Sequence, residues 1–207
     1  MHPYIYLASQ SPRRQELLKQ IGVRFELLVA KPTEDTERIE LPLANEKARD
    51  YVKRVTLAKS AIALERWKQS GKLWAPILCA DTTVSLPNSL DGEILGKPQD
   101  AHDAARILGM LSGKVHEVLS AVSIITDPDS APHCQTQVSQ VQFAELSQGQ
   151  IDRYIESGEP FGKAGAYGIQ GLGANFIASI TGSYSGIMGL PIFEVNQLLD
   201  FAKVAQA

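Results

Sequence analysis

Apolar residues recur along the chain with two periods, and these periods predict the elements of an α/β protein. Helical spacing predicts helices that begin at Ser11, near residue 45, at Asp100, at Ser147 and after Pro191. Apolar and β-branched runs predict strands after Tyr4 and at 25–29, 77–86, 93–95, 115–125, 135–143 and 175–180. Because some strands are joined by helices and others by hairpins, the pattern predicts a mixed, partly antiparallel central sheet with flanking helices.

The junction between the first strand and the first helix has the features of an anion site. Ser11 suits the N-cap and Pro12 suits the first helical position. Arg13 and Arg14 follow in the first turn, where positive charge opposes the helix dipole. Arginines beside the unpaired amides of a helix start favour a phosphate or carboxylate ligand. The alternative is a pair of solvated surface arginines.

A carboxylate lies inside the predicted third strand. Asp81 is surrounded by small and β-branched residues in the run 79–84. A buried carboxylate requires a cation, a metal or several hydrogen bonds, and a strand would hold it rigidly. The pattern therefore favours a metal ligand or a general base over a strand-edge Asp that caps a neighbouring loop.

Two lysines are further candidates for contact with phosphate. Lys97 lies in a turn between Gly96 and Pro98, and Lys59 lies on the predicted long helix beside apolar positions. Either lysine alone is typical of a surface side chain whose stem packs on apolar residues. Together with the two arginines, however, they would suit a polyphosphate.

A glycine-rich segment follows the fourth predicted helix. Residues 158–173 contain six glycines, which permit positive φ angles and a close approach of the backbone to a ligand. Lys163 and Gln170 are its candidate contacts to a phosphate or to the edge of a base. The segment matches neither the P-loop nor the dinucleotide fingerprint, and a plain structural loop is the alternative.

Composition and charge narrow the class of protein. With 207 residues, 44% of them hydrophobic, the chain is long enough for one large domain, and we expect 1–207 to form it. The net charge of −3 and the absence of a Lys/Arg run argue against stable nucleic-acid binding. Two cysteines and the lack of a signal core or of 18 consecutive apolar residues predict a cytoplasmic protein without membrane contact.

Five motifs, in their order and spacing, resemble the Maf family of nucleoside triphosphate pyrophosphatases. They are the segments 8–14, 80–82, 96–98, 111–116 and 158–171. The block 164–170 is similar to the branch that acts on dTTP and UTP, and differs from the branch associated with 7-methyl-GTP. The resemblance implies cleavage between the α and β phosphates with a divalent metal, Mg²⁺ or Mn²⁺. It also implies two lobes around a deep cleft, and a possible homodimer.

The resemblance assigns roles to particular residues of this chain. Asp81 matches the proposed general base, and Lys59 and Lys97 match the phosphate-binding lysines. Glu34 aligns with an acid near the metal, which Asp81 would share. The expected substrate-binding residues are Ser9, Ser11, Arg13, Arg14, Thr82, Lys163 and Gln170, of which Arg13, Thr82 and Gln170 match positions tied to base selectivity.

Departures from the family pattern and two alternative functions stand beside this prediction. Gly162 lies where relatives usually carry Asp, and Ser120 lies where they commonly carry Thr. A nucleotide-binding regulator, for instance of cell division, would bind triphosphates without needing turnover. A phosphatase would release orthophosphate. Asp81 favours the enzyme, because a pure sensor has little use for a base or a metal carboxylate.

Overall fold

The computed structural model describes residues 1–30, 38–87 and 93–205. Seven strands form one mixed sheet in these residues: β1 (Ile5–Leu7), β2 (Phe25–Leu27), β3 (Ile77–Leu86), β4 (Glu93–Leu95), β5 (Val115–Ile125), β6 (His133–Phe143) and β7 (Ile177–Thr181). Their order in the sheet is β2-β1-β3-β5-β6-β7, and β4 pairs with β3 off this path. The pairings β1–β2 and β1–β3 are parallel, and the others are antiparallel, which confirms the predicted mixed sheet.

Six α-helices flank the sheet in the described residues. They are α1 (Pro12–Gln20), α2 (Ala48–Lys68), α3 (Ala101–Leu111), α4 (Gln148–Glu156), α5 (Tyr184–Met188) and α6 (Ile192–Phe201). Short 3₁₀ helices lie at Arg38–Glu40, Ala164–Ala166 and Leu172–Phe176. The five predicted helices are present. The short α5 and the 3₁₀ turns were not predicted, because so few residues carry no measurable period.

Helix termini follow the predicted capping chemistry at two positions and differ at a third. The Asp100 carboxylate accepts a hydrogen bond from the Asp103 amide at 2.8 Å. The Gln150 side chain accepts one from the Ser147 amide at 2.9 Å, as in a capping box. Ser11 occupies the N-cap position of α1, but its side chain makes no capping bond there.

Strands β3 and β5 each contribute residues to two separate hydrophobic clusters. Leu78 and Ala80 of β3 pack in a cluster with α1 and α6, whereas Val84 and Leu86 pack in a cluster with α3 and α4. Strand β5 divides in the same way. These clusters are the two predicted lobes. Thr82, on the same face of β3, lies between them and is only partly buried, so the lobes separate at this point.

Among the described residues, no helix is both long enough and apolar enough to cross a lipid bilayer.

Candidate active site

A cleft of about 380 Å³ opens where the two lobes separate. Ten of the eleven residues that the sequence proposed for the site line this single cleft, although they come from five separate segments. They are Ser9, Ser11, Arg13, Arg14, Lys59, Asp81, Thr82, Lys97, Lys163 and Gln170. The eleventh, Glu34, lies outside the described residues.

A network of ion pairs crosses one end of the cleft. The Lys59 ammonium lies 2.6 Å from Asp81 Oδ1 and 2.7 Å from Glu40 Oε1. The other oxygen of Glu40 accepts from Lys97 Nζ at 2.7 Å. The Asp81 side chain is 10% exposed, whereas that of Lys97 is 54% exposed. The network therefore runs from a nearly buried carboxylate outward to a lysine that is free to move.

Helix α2 brings Lys59 to Asp81 because it packs across the face of β3 and β5. Val55, four residues before Lys59, is fully buried. On the next residue, the Ser60 hydroxyl lies 2.6 Å from that of Ser123 on β5, and this contact fixes the helix against the sheet. Lys59 thus projects from a rigid surface, with its ammonium at the midpoint of β3.

Glu40 is the acid that the sequence analysis missed. It lies on the 3₁₀ turn Arg38–Glu40, at the end of a segment that carries four acids within seven residues, Glu34, Asp35, Glu37 and Glu40. No pattern in that segment distinguishes one acid from another. Burial alone would raise the pKa of Glu40, but the two lysines outweigh it and hold the pKa below its ordinary value.

At the start of α1 the two arginines differ in their surroundings. Arg14 donates from Nε to the Gly189 carbonyl at 2.8 Å and from Nη1 to Ser9 Oγ at 3.1 Å. Burial lowers the pKa of Arg14, and the negative charge of Asp81 opposes that shift. Arg13 lines the cleft and makes no hydrogen bond or ion pair within the described ranges. Arg14 therefore joins α1 to the loop after α5, and Arg13 has its donors available to a ligand.

The glycine-rich segment forms the opposite wall of the cleft. Gly165 has a φ of +70° and lies so close to Val84 that an added Cβ would approach Val84 Cγ2 to 2.7 Å. Its amide donates to the Gly96 carbonyl at 3.1 Å, next to Lys97. Only glycine satisfies both demands at this position. This contact links the glycine-rich segment to the turn that carries Lys97, two motifs that the sequence had suggested separately.

Glu159 holds the part of this segment that presents Gln170. Its carboxylate accepts from the amides of Leu172 and Gly173, at 2.8 and 3.1 Å, and from the Tyr154 hydroxyl at 2.9 Å. Burial would raise the pKa of Glu159, but these hydrogen bonds hold it below its usual value. Glu159 has no distinguishing signal in the sequence, because a lone acid between two turn residues is typical of a solvated loop.

Lys163 has a hydrogen-bond partner within the protein, whereas Gln170 has none among the described residues. Lys163 Nζ donates to the Glu159 carbonyl, and burial, followed by the nearby charge of Arg13, lowers the pKa of Lys163. Gln170 is exposed on the wall of the cleft, and its amide makes no hydrogen bond to any described residue. Gln170 therefore offers a donor and an acceptor to a ligand.

Two carboxylates of the cleft lie close enough together to share a divalent cation. No group of three or more His, Cys, Asp or Glu residues that could hold a metal occurs in the described ranges. Asp81 and Glu40, however, lie within 2.7 Å of the same lysine nitrogen. Mg²⁺ is usually bound by one or two carboxylates together with substrate phosphates, so this pair fits such a cation.

Sequence comparisons extend over nearly the whole chain. A dTTP/UTP pyrophosphatase of Ralstonia nicotianae is 57% identical over 98% of this chain and 96% of that protein. Proteins of the same name from Burkholderia orbicola and Cupriavidus pinatubonensis are 55% and 51% identical over 99% of this chain, and 96% and 99% of their own lengths. A solved structure, that of the Staphylococcus aureus Ham1 protein, has a TM-score of 0.43 and 15% identity over 69% of this chain and 72% of that chain.

The family is the one that the motifs resembled. The family model described as Maf-like protein matches residues 4–202, which include every described residue of the cleft. The chain belongs to the Maf-like protein family.

Proposed function

We propose that this protein hydrolyses dTTP and UTP to the nucleoside monophosphate and pyrophosphate, a reaction that removes these nucleotides from the cellular pool. The observation that carries the proposal is the meeting of Arg13, Lys59, Lys97 and Asp81 in one cleft with the neutral, exposed amide of Gln170. Relatives that are at least half identical over the same length are named dTTP/UTP pyrophosphatase.

The cations suit a triphosphate, which carries about four negative charges near neutral pH. Catalysis of phosphoryl transfer is mostly positioning and neutralisation of charge. Arg13 offers its guanidinium from the positive end of α1, and Lys97 is exposed enough to turn from Glu40 to a phosphate oxygen. Lys59 stays between two carboxylates and orients Asp81 for the reaction.

Asp81 and Glu40 would hold a divalent cation, Mg²⁺ or Mn²⁺, in the same end of the cleft. When bound, the cation would neutralise charge on the phosphoryl oxygens. Glu40 belongs to the same acidic segment as Glu34, the acid that the resemblance placed near the metal, and Glu34 lies outside the described residues. The Asp81 carboxylate also accepts the proton of the attacking water, whose oxygen forms a bond to the α-phosphorus. The bond from that phosphorus to the α–β bridging oxygen breaks, and pyrophosphate leaves.

The base is read by Thr82 and Gln170. Thymine and uracil present acceptors at O4 and O2 and a donor at N3. The Gln170 amide nitrogen donates to a carbonyl of the base, and the Thr82 oxygen accepts from N3–H. The predicted homodimer and cytoplasmic location remain predictions.

A nucleotide panel tests this function directly. Pyrophosphate and orthophosphate release would be measured for the common ribo- and deoxyribonucleoside triphosphates, with Mg²⁺ or Mn²⁺. We expect the monophosphate and pyrophosphate from dTTP and UTP, at rates well above those for CTP and the purines. Tight binding without turnover would instead favour a regulator, and orthophosphate as the product would favour a phosphatase. A preference for a purine would contradict the base assignment.

A further inference from the structure

We propose that Ser120 determines which way the Thr82 hydroxyl points its proton, so that Thr82 presents only an acceptor to the base and thereby excludes cytosine. The proposal rests on the proposed function, and it adds to that function a positioning residue outside the predicted site. Ser120 is fully buried, and it does not line the cleft.

The direction of the hydrogen bonds follows from counting protons. Ser120 Oγ lies 2.7 Å from the Gly186 carbonyl oxygen, which is an acceptor only, so the single serine proton is used there. Thr82 Oγ1 lies 2.8 Å from the same Ser120 oxygen. With the serine proton committed to Gly186, the Thr82 hydroxyl has to donate to Ser120. The relay therefore runs from Thr82 through Ser120 to Gly186.

The relay is rigid at both ends. Thr82 and Ser120 are direct partners across the antiparallel pair β3–β5, so their side chains share one face of the sheet. Gly186 belongs to α5, and its amide is held by the Ser183 hydroxyl at 3.0 Å. A Cβ on Gly186 would approach Gln137 Oε1 to 2.6 Å, which shows how closely this turn is packed on the sheet. The Gly186 carbonyl cannot easily move away from Ser120.

As a result, the Thr82 hydroxyl can only accept a hydrogen bond from a base in the cleft. Its proton points to Ser120, so only lone pairs remain for the cleft. These accept the N3–H of thymine or uracil. Cytosine has a lone pair at N3 and an amino group at C4, so it would place two acceptors against each other. A free threonine hydroxyl would rotate and donate to cytosine instead, and discrimination would be lost.

The test compares kcat/KM for dTTP and CTP in Ser120→Ala and Ser120→Thr. The alanine removes the acceptor for the Thr82 proton, and we expect the dTTP:CTP ratio to fall about tenfold, mainly through a gain with CTP. The threonine restores a hydroxyl, and the ratio should stay within about twofold of wild type. UTP should behave as dTTP does. Ser120→Cys, whose thiol leaves no room for a replacing water and bonds weakly, should resemble the alanine.

A double-mutant cycle separates this mechanism from a loss of packing. In a Thr82→Val background there is no hydroxyl to orient, so adding Ser120→Ala should leave the ratio unchanged. An unchanged ratio in both Ser120→Ala and Ser120→Cys, with thermal unfolding showing a folded protein, would overturn the proposal. So would an equal loss for dTTP and CTP, or an undiminished effect in the valine background. Failure of the proposed function would appear earlier, as a wild-type protein that does not release pyrophosphate from dTTP or UTP.

Discussion

The two ends of the cleft are built from different kinds of interaction. At the charged end, ion pairs hold Lys59, Lys97, Asp81 and Glu40 together, and Arg13 has no hydrogen bond or ion pair among the described residues. The base end, formed by Thr82, Ser120, Gln170 and the segment 158–173, is held by hydroxyls and by backbone amides that donate to the Glu159 carboxylate.

The difference lies in how easily each end rearranges. An exposed lysine exchanges one anion for another at little cost, because such ion pairs contribute at most about 1 kcal/mol each. The base end has less freedom, because Gly165 packs on Val84 too closely for any side chain to be added and the Glu159 carboxylate holds the amides of Leu172 and Gly173. We infer that the charged end sets the rate for every nucleotide, whereas the base end sets which nucleotide is used.

Asp81→Asn should give the largest effect. The amide keeps the shape of the carboxylate but accepts a proton poorly and binds a cation weakly, so we expect kcat to fall by about 10²-fold or more. If the comparison holds, the loss is the same for dTTP, UTP and CTP. Steady-state kinetics on the three nucleotides measures it, and Asp50→Asn, on the exposed first turn of α2, is the matched control. Near-normal turnover would contradict the assignment and make Glu40 the next candidate for the base.

Lys97→Ala should have a smaller effect of the same kind. Loss of one exposed cation weakens the hold on the triphosphate, and we expect KM to rise about tenfold with each nucleotide, while the dTTP:CTP ratio stays constant. Added salt should raise KM for wild type and less for the variant. Lys114, an exposed lysine in the turn before β5, provides the control as Lys114→Ala. Wild-type behaviour of Lys97→Ala would show that the Gly-Lys-Pro turn is structural.

The charged end could be predicted from the sequence more fully than the base end. Arg13 and Asp81 stand out locally, because each carries charge where packing or the helix dipole disfavours it. Ser120 and Glu159 carry no such signal. Their partners lie 38 and 14 residues away in the chain, and they are brought together by strand register and by the turns of the glycine-rich segment.

Glu40 shows a second limit of prediction from the sequence. The resemblance assigned Glu34, which lies outside the described residues, and nothing in the sequence singled out Glu40, because Glu40 is distinguished only by its contacts with Lys59 and Lys97. The strands and most helices were predicted well, since their periods extend over many residues. Contacts between distant segments have no period, and they are the part that the structure supplies.

Glu159→Gln should change base selectivity more than it changes the rate, because Glu159 lies at the base end. The amide offers one oxygen where the carboxylate offered two, and its NH₂ group opposes the donors of Leu172 and Gly173. We expect Gln170 to lose its fixed position, so that the dTTP:CTP ratio falls about fivefold while kcat for dTTP changes about twofold or less. Glu156→Gln, on the exposed end of α4, is the control. A loss of kcat with an unchanged ratio would place Glu159 with the charged end instead.

The smallest effect should be a pH dependence of stability at Glu159. Its pKa in the folded protein lies below the ordinary value of about 4.3, so the charged carboxylate stabilises the fold above that pH. This contribution is lost as the pH falls through the lower, folded pKa. Thermal unfolding of wild type and Glu159→Gln from pH 7 to pH 3 should give a constant difference in Tm above about pH 5, and the difference should shrink below pH 4.3. Glu156→Gln should follow wild type throughout. Parallel curves for wild type and Glu159→Gln over the whole range would show that the backbone amides of Leu172 and Gly173 do not depend on the charge of Glu159, and that the base end is held by packing alone.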